Sequence, residues 1–355
     1  RRARVASPRT KPGTRKLSEV ARKLVVPDGI VSTGWPAVRD TCTKRLGVGF
    51  DPWQDGAGRL ILAKRADGKL ASMIGGVGMS LPRQVGKTYL IGATVFALCV
   101  DNPGLLVIWS AHHARTHGET FLSMQAFAKR SKVAPYVAQV FKGSGDEEIR
   151  FHNGSRILFG ARERGFGRGV AGVDMIVSDE AQIMSDKALD AQLATMNVSQ
   201  FGLAVYVGTP PRPDDPSEAF TRMRTEAWSG DLRDAAWIEL GAEPGVDAHD
   251  RKVWAKVNPS YPHRTPPESM LRLQRKLHPD SFMREGLGVW DEGSTEGLTV
   301  AVWDALADPN AAPAGSLTLG WDVSPGHGTA AVTAFGAGVL EREQQCGGAV
   351  VDRPA

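Results

Sequence analysis

Short, continuous apolar runs alternate along this chain with longer segments whose apolar positions recur at helical spacing. The Gly-rich apolar segment Met73 to Leu81 predicts a strand, and Thr88 to Val100 a buried helix ended by Asn102-Pro103-Gly104. Leu105 to Ser110 predicts a second buried strand, and Ala114 to Lys132 a second helix. Ile149 to Phe151 and Arg156 to Phe159 flank Asn153-Gly154, a pair that tolerates positive φ and so predicts a hairpin. Asp174 to Ser178 and Leu203 to Val207 are two more runs fit for burial on both faces. Strands alternating with helices predict an α/β fold, a mostly parallel sheet covered by helices on both faces. Ligands of such sheets sit at the carboxyl ends of the strands.

From about Gly230 to Gly315 the pattern changes. Pro-rich pieces, Asn258-Pro259 and Arg264-Thr265-Pro266-Pro267, set off two predicted helices, Glu268 to Leu277 and Asp280 to Leu287. Pro309 to Gly315 reads as a linker, after which Leu317 to Val323, Ala330 to Phe335 and Gly348 to Val351 predict three short strands. No internal repeat is visible.

Composition narrows the class. With 355 residues, 42% hydrophobic and 23% charged, the chain suits one or two globular domains. Its longest nearly apolar run, Tyr89 to Val100, is shorter than the roughly 18 residues a bilayer requires, and no signal peptide is visible. Arg1 in place of a methionine suggests a fragment. Cys42, Cys99 and Cys346, odd in number and far apart, fit a reducing cytosol and no zinc framework. Net charge is only +4, yet nine Lys or Arg and one acid, Glu19, lie between Arg1 and Lys23. Residues 1–39 are therefore expected to be a disordered basic arm, able to hold DNA through phosphate contacts.

Two segments about ninety residues apart carry the chemistry. Leu81-Pro82-Arg83-Gln84-Val85-Gly86-Lys87-Thr88 lies between a predicted strand and a predicted helix. It is a variant phosphate loop, with Leu81 where the full pattern has its first glycine. Backbone N–H groups and the helix N-terminus would face the β-phosphate; Lys87 would neutralise phosphate charge, and the Thr88 hydroxyl would go to Mg²⁺. In Met175-Ile176-Val177-Ser178-Asp179-Glu180, an apolar strand ends in two carboxylates. Asp179 belongs to the metal shell and Glu180 to the attacking water; the bland alternative is a helix N-cap pair. Together the halves argue for ATP hydrolysis.

On these residues the chain resembles the large terminase subunits of tailed phages, DNA-packaging motors with an N-terminal ATPase and a C-terminal ribonuclease-H-like nuclease. The resemblance runs from Phe50 to the end. Pro82 to Thr88 is similar to their deviant phosphate loop and Ser178-Asp179-Glu180-Ala181-Gln182 to their acidic motif. Val207-Gly208-Thr209-Pro210 resembles the motif that couples hydrolysis to movement, which implies coupling roles for Gly208 and Thr209. Pro52-Trp53-Gln54 resembles the adenine-reading motif, implying that the Gln54 amide bonds the base edge, although Trp53 reads equally as a core anchor. Asn258-Pro259-Ser260 and Phe282 to Gly288 resemble the helical connector, and Gly320-Trp321-Asp322 the first strand of the nuclease. Order and spacing make the set specific.

Among nucleotide-binding residues, then, stand Gln54, Arg83, Gln84, Gly86, Lys87 and Thr88. Arg83 ranks first as the arginine that stabilises γ-phosphate charge, ahead of Arg164 and Arg168 in the Gly-rich stretch before the acidic motif. His112, His113 and His117 read as a helix-surface cluster, since no glutamate follows His113 in the zinc-protease pattern. Two-metal phosphodiester cleavage needs several converging carboxylates, and Asp322 alone cannot supply them. Only 33 residues follow Asp322, so the nuclease site is expected to be incomplete, with Mg²⁺ or Mn²⁺ there only if it is completed. The expected parts are the arm (1–39), a P-loop ATPase domain (40–230), a connector (231–315) and the start of a nuclease meander (316–355). The resemblance implies ATP and Mg²⁺ as cofactors, with double-stranded DNA, the portal of a procapsid and the small terminase subunit as partners. It also implies a homo-oligomeric ring, no membrane, and residence in the host bacterial cytoplasm. A non-packaging, helicase-like nucleic-acid ATPase sharing only the nucleotide core is the alternative, and an inactive degenerate product a third possibility.

Overall fold

The computed structural model describes residues 15–143, 145–162, 166 and 169–290, and the backbone of three strands at 317–323, 329–336 and 351–354. The chain enters through α1 (Leu17–Val20), β1 (Lys23–Val25), β2 (Ile30–Thr33), α2 (Trp35–Thr41), α3 (Pro52–Ile61) and β3 (Ala63–Arg65). The central succession is β4 (Val77–Ser80), α4 (Lys87–Asp101), β5 (Leu106–Ala111), α5 (Ala114–Ala128), β6 (Val137–Phe141), β7 (Glu148–Phe151) and β8 (Arg156–Ala161). It continues through β9 (Met175–Asp179), α6 (Asp186–Leu193), β10 (Leu203–Gly208), α7 (Glu218–Ser229) and β11 (Ala236–Glu239). Two further helices follow, α8 (Arg251–Val257) and α9 (Pro267–Lys276), then a wide-turned helical segment, Phe282–Gly286.

Nine strands form one sheet in the order β1-β11-β4-β10-β9-β5-β8-β7-β6. The six from β11 to β8 are parallel, and antiparallel strands close both edges. Every residue of β4 and β9 is buried, the signature of strands covered on two faces. Helix α4 is buried from Leu90 through Val100 because helices α2, α3 and α5 all pack against it. Crossovers between parallel neighbours bring the ends of β4, β10 and β9 together on one rim. β10 lies between the phosphate-loop strand and the acidic strand.

The predicted strands and helices are present, with shifts at their ends. β4 begins at Val77 rather than Met73, because Met73 to Gly75 turn before it. α5 stops at Ala128. The expected hairpin pairs β7 with β8, turning through Gly154 at φ +87°.

Two boundaries differ from expectation. The basic arm is not unstructured through residue 39. β1 pairs antiparallel with β11, and the buried Arg22 side chain reaches the fully buried Glu239 at 3.2 Å. Glu239 also accepts hydrogen bonds from Arg224, Trp228 and Trp237. A carboxylate buried so deeply requires cations around it, and the basic segment supplies one. The second boundary falls at residue 230: β11 lies beyond it, yet joins the central sheet beside β4. Residues 242–290 then carry a small core of their own, with Trp254, Met270, Phe282 and Leu287.

A separate unit, Glu292–Ala355, contains a three-stranded antiparallel sheet of β12 (Leu317–Val323), β13 (Thr329–Gly336) and β14 (Val351–Pro354). Its first strand starts at Leu317 as expected; its third starts at Val351 rather than Gly348. Asp322 stands opposite Ala331, which on its other side stands opposite Asp352. The side chains of this unit lie outside the described residues. Among the described residues no helix is long and apolar enough to cross a membrane.

Candidate nucleotide site

The phosphate loop leaves β4 at Ser80 and ends where α4 begins at Lys87. Leu81, in place of the first glycine, is fully buried, and its N–H donates to the Gly208 carbonyl at 2.9 Å. The chain then turns through Gln84 at φ +60° and Gly86 at φ +99°. Three successive carbonyls of the loop are held from outside. The Gln84 carbonyl accepts from the Thr265 hydroxyl (3.4 Å), that of Val85 from the Ser260 hydroxyl (3.0 Å), and that of Gly86 from the Gln54 amide (3.1 Å). What remains for an anion is the set of unpaired N–H groups in the first turn of α4, with its positive dipole end.

Beside the loop opens a cleft of about 680 Å³, lined by Phe50, Asp51, Gln54, Gln84, Tyr89 and Arg264 among others. Both polar ends of the Gln54 amide are engaged: Oε1 accepts from the Asp51 N–H at 3.0 Å, and Nε2 donates to Gly86. This buried amide links α3 to the phosphate loop, and one of its hydrogens remains beyond that bond. Both guanidinium Nη atoms of Arg264 reach the two carboxylate oxygens of the fully buried Asp51. Trp53 is fully buried in the main core, the anchoring role.

On the same rim, one strand beyond β10, Asp179 ends β9, buried, and its Oδ1 accepts from the Glu180 N–H at 3.0 Å. Glu180 has φ 56° and ψ 46°. Gln84 and Glu180 are the non-glycine residues with positive φ among those described, one on each half of the site. That conformation costs of order 1–2 kcal/mol in a residue with a Cβ, and such cost concentrates at functional positions. One Glu180 carboxylate oxygen accepts from the Thr116 hydroxyl at 3.1 Å; the other, Oε2, is buried without a hydrogen-bond partner. Burial pushes the Asp179 carboxyl above the usual carboxylate range, against the pull of the Lys87 charge. Burial likewise lowers the Lys87 ammonium to about 8, while Asp179 pulls it back up.

The hydroxyl of Thr88 and the buried carboxylate of Asp179 are hard oxygen donors of the kind that suits Mg²⁺ bound largely through water and phosphate. Among the described residues no group of three or more His, Cys, Asp or Glu could hold a metal by itself. His117 is buried, not on the helix surface as expected, and His113 caps the N-terminus of α5. Cys42 and Cys99 are buried free thiols.

Arg83 sits on a partner that its own motif does not contain. Its guanidinium forks onto Glu285 at 2.9 and 3.0 Å, and its N–H donates to the Glu285 carbonyl at 2.8 Å. Arg212 reaches the same carboxylate at 3.4 Å. Arg83 thus ties the phosphate loop to the C-terminal helical segment. Its competitors Arg164 and Arg168 lie outside the described residues.

Gly208 and Thr209 end β10 against the acidic motif. The Thr209 N–H donates to the Gln182 side chain at 3.3 Å. A Cβ on Gly208 would stand 2.6 Å from that same Gln182 oxygen and 3.0 Å from the Gln182 backbone nitrogen, so only glycine fits without displacement. Gln182 therefore connects Glu180, two residues away, to the strand beside the phosphate loop.

Sequence reasoning missed Thr116, Ser260, Thr265, Glu285 and Arg162 as parts of this site. Ser260, Thr265 and Glu285 stood within the quoted connector segments without a role at this site, and Arg162 showed only as an arginine directly after the apolar run of β8.

The family described as terminase large subunit, T4likevirus-type, N-terminal, matches residues 79–296. No curated protein matches the chain. Among solved structures, the large terminase of bacteriophage HK97 aligns with a TM-score of 0.61 at 16% identity, over 86% of this chain and 65% of that one. The ATPase domain of the Thermus phage P74-26 large terminase gives 0.45 at 16% identity, over 59% of this chain and 86% of that one. The large terminase of a thermophilic bacteriophage, solved in complex with ADP, gives 0.43 at 12% identity, over 74% of this chain and 60% of that one. The HK97 likeness bears on the fold, and this chain spans just under two thirds of that protein's length.

Proposed function

The chain belongs to the terminase large-subunit family, and from that premise we propose that it hydrolyses ATP to drive double-stranded DNA into a phage procapsid. The observation that carries this reading is the meeting of two halves on one rim: the loop ending in Lys87 and Thr88, and the Asp179–Glu180 pair with one carboxylate oxygen left without a partner. A protein that only binds anions needs the first half alone.

In this reading the first turn of α4 and the Lys87 ammonium bind the β- and γ-phosphates, while Phe50 and Tyr89 flank the base cleft. Thr88 and Asp179 would hold Mg²⁺, which when bound neutralises phosphate charge. Glu180 accepts a proton from the attacking water, with Thr116 restraining its carboxylate. Movement would pass from Glu180 through Gln182 to Gly208 and Thr209, and through Glu285 to the residues beyond β11. Arg83 would turn from Glu285 to the γ-phosphate to serve as the charge-stabilising arginine. DNA, portal, small subunit and a ring of copies are the partners this function requires. Asp322 would belong to the nuclease part of such a protein, where cleavage needs further carboxylates beside it. The family match favours this function over a helicase-like ATPase.

The test is ATP turnover with and without double-stranded DNA and empty procapsids. Stimulation by both, sensitive to salt through phosphate contacts, is the expected result. Stimulation by single-stranded DNA alone, indifferent to procapsids, would favour the helicase-like alternative.

A further inference from the structure

Arg162 follows β8 directly and is only 8% exposed. Its hydrogen bonds go to backbone oxygens and one hydroxyl. Nη1 donates to the Ser110 carbonyl at 3.0 Å and to the Ser110 hydroxyl at 3.3 Å. Nη2 donates to the Asp179 carbonyl at 2.7 Å and to the Glu180 carbonyl at 2.9 Å.

The last two bonds have a geometric consequence. The relative direction of the Asp179 and Glu180 carbonyls is set by φ and ψ of Glu180 alone, since both peptide planes meet at its Cα. One nitrogen gripping both oxygens limits how far apart they can lie and so restricts that pair of angles, here the left-handed 56° and 46°. The same angles fix where the Cα–Cβ bond points, and so where the Glu180 carboxylate begins. The grip is itself anchored. Gln192 donates to the Ser110 hydroxyl at 2.7 Å and accepts from the Ser178 hydroxyl at 2.8 Å, which binds β5, β9 and α6 into one buried polar network.

We propose that Arg162 is a positioning residue for hydrolysis: by clamping the Asp179 and Glu180 carbonyls it holds Glu180 in the left-handed conformation that aims its carboxylate. The inference rests on the reading of Glu180 as the group that prepares water. Burial lowers the guanidinium only to about 10, so it remains charged at neutral pH and its bonds to the carbonyls are charge-assisted.

The experiment is a double-mutant cycle in the full chain, with single-turnover hydrolysis, ATP affinity and unfolding temperature measured for each protein. Arg162→Met should slow hydrolysis at least tenfold while ATP affinity stays within about twofold. Arg162→Lys, which keeps a buried cation that can donate to both carbonyls, should recover part of that rate; it also serves if the Met variant does not fold. Adding Arg162→Met to Glu180→Gln should slow hydrolysis no further, because the clamp acts only through Glu180. Additive losses in the double variant, or ATP affinity falling in step with rate, would show a general structural role and overturn the proposal. So would a normal rate in Arg162→Met beside a dead Glu180→Gln, a result that leaves the Glu180 reading intact. Normal hydrolysis by Glu180→Gln itself would remove that reading and the clamp with it.

Discussion

Thr116 and Glu180 share a single hydrogen bond of 3.1 Å, and it occupies one carboxylate oxygen while leaving the other buried and unpartnered. Removing the hydroxyl frees the carboxylate to rotate. Thr116→Val should lower the rate of hydrolysis about fivefold, the worth of one hydrogen bond near 1 kcal/mol, and leave ATP affinity unchanged. Steady-state kinetics at saturating ATP checks this, and an unaltered rate would mean that the bond does not restrain Glu180.

Lys87 and Glu180 should separate binding from turnover. Lys87→Ala removes the point charge under the triphosphate and should abolish measurable ATP binding. Glu180→Gln keeps the volume but accepts a proton poorly, so it should bind ATP normally and lose hydrolysis by two or more orders of magnitude. Equilibrium nucleotide binding beside single-turnover hydrolysis distinguishes the two; comparable hydrolysis by wild type and Glu180→Gln would end the role given to that residue.

The lowered Lys87 ammonium gives binding a pH dependence of definite sign. Burial depresses it to about 8 in the free protein, and a bound triphosphate favours the charged form and raises it again. Below about 8 the free protein already holds the proton, and this group gives affinity no slope. Above it, binding takes up a proton, so ATP affinity should fall by up to tenfold per pH unit. Calorimetry in buffers of different ionisation enthalpy would count that proton, and affinity that stays flat up to about pH 9.5 would contradict the prediction.

Arg264 and Asp51 test the joint between the segment after α8 and the cleft beside the phosphate loop. Asp51 is fully buried and caps α3, so Arg264→Ala takes a cation away from a buried carboxylate. The loss should be about 2–3 kcal/mol, reduced from the cost of breaking a fully buried pair because Arg264 is partly exposed. Weaker ATP binding should accompany it, since Ser260 and Thr265 flank Arg264 in the same turn. Chemical denaturation and nucleotide titration read the two effects separately.

The sheet was legible because its middle strands are buried on both sides, so β5, β8, β9 and β10 stand out as unbroken apolar runs. The phosphate loop and acidic pair were legible because each joins a strand end to a chemically specific set of residues. β11 was not, because four residues, Ala236 to Glu239, end in a carboxylate that no sequence pattern marks as buried. β1 was hidden inside a basic run whose Arg22 is the partner that carboxylate needs. Site residues that act on backbone carbonyls, Arg162, Ser260 and Thr265, leave almost no pattern, because any local sequence presents a carbonyl. The Arg83–Glu285 pair spans 202 residues, and only the fold brings its members together.

Two of the three side chains that hold the phosphate-loop carbonyls, Ser260 and Thr265, arrive 175 and 181 residues after the carbonyls they bind. On a ribosome the loop therefore emerges long before the groups that set its shape. Sheet and motifs can assemble as they appear, but the cradle stays unfinished until the chain has grown past Thr265. Synthesis itself thus imposes an order, in which the side chains that hold the loop follow the sheet that carries it. A chain released early would carry every recognisable motif of the sheet and still leave two of those loop carbonyls unheld.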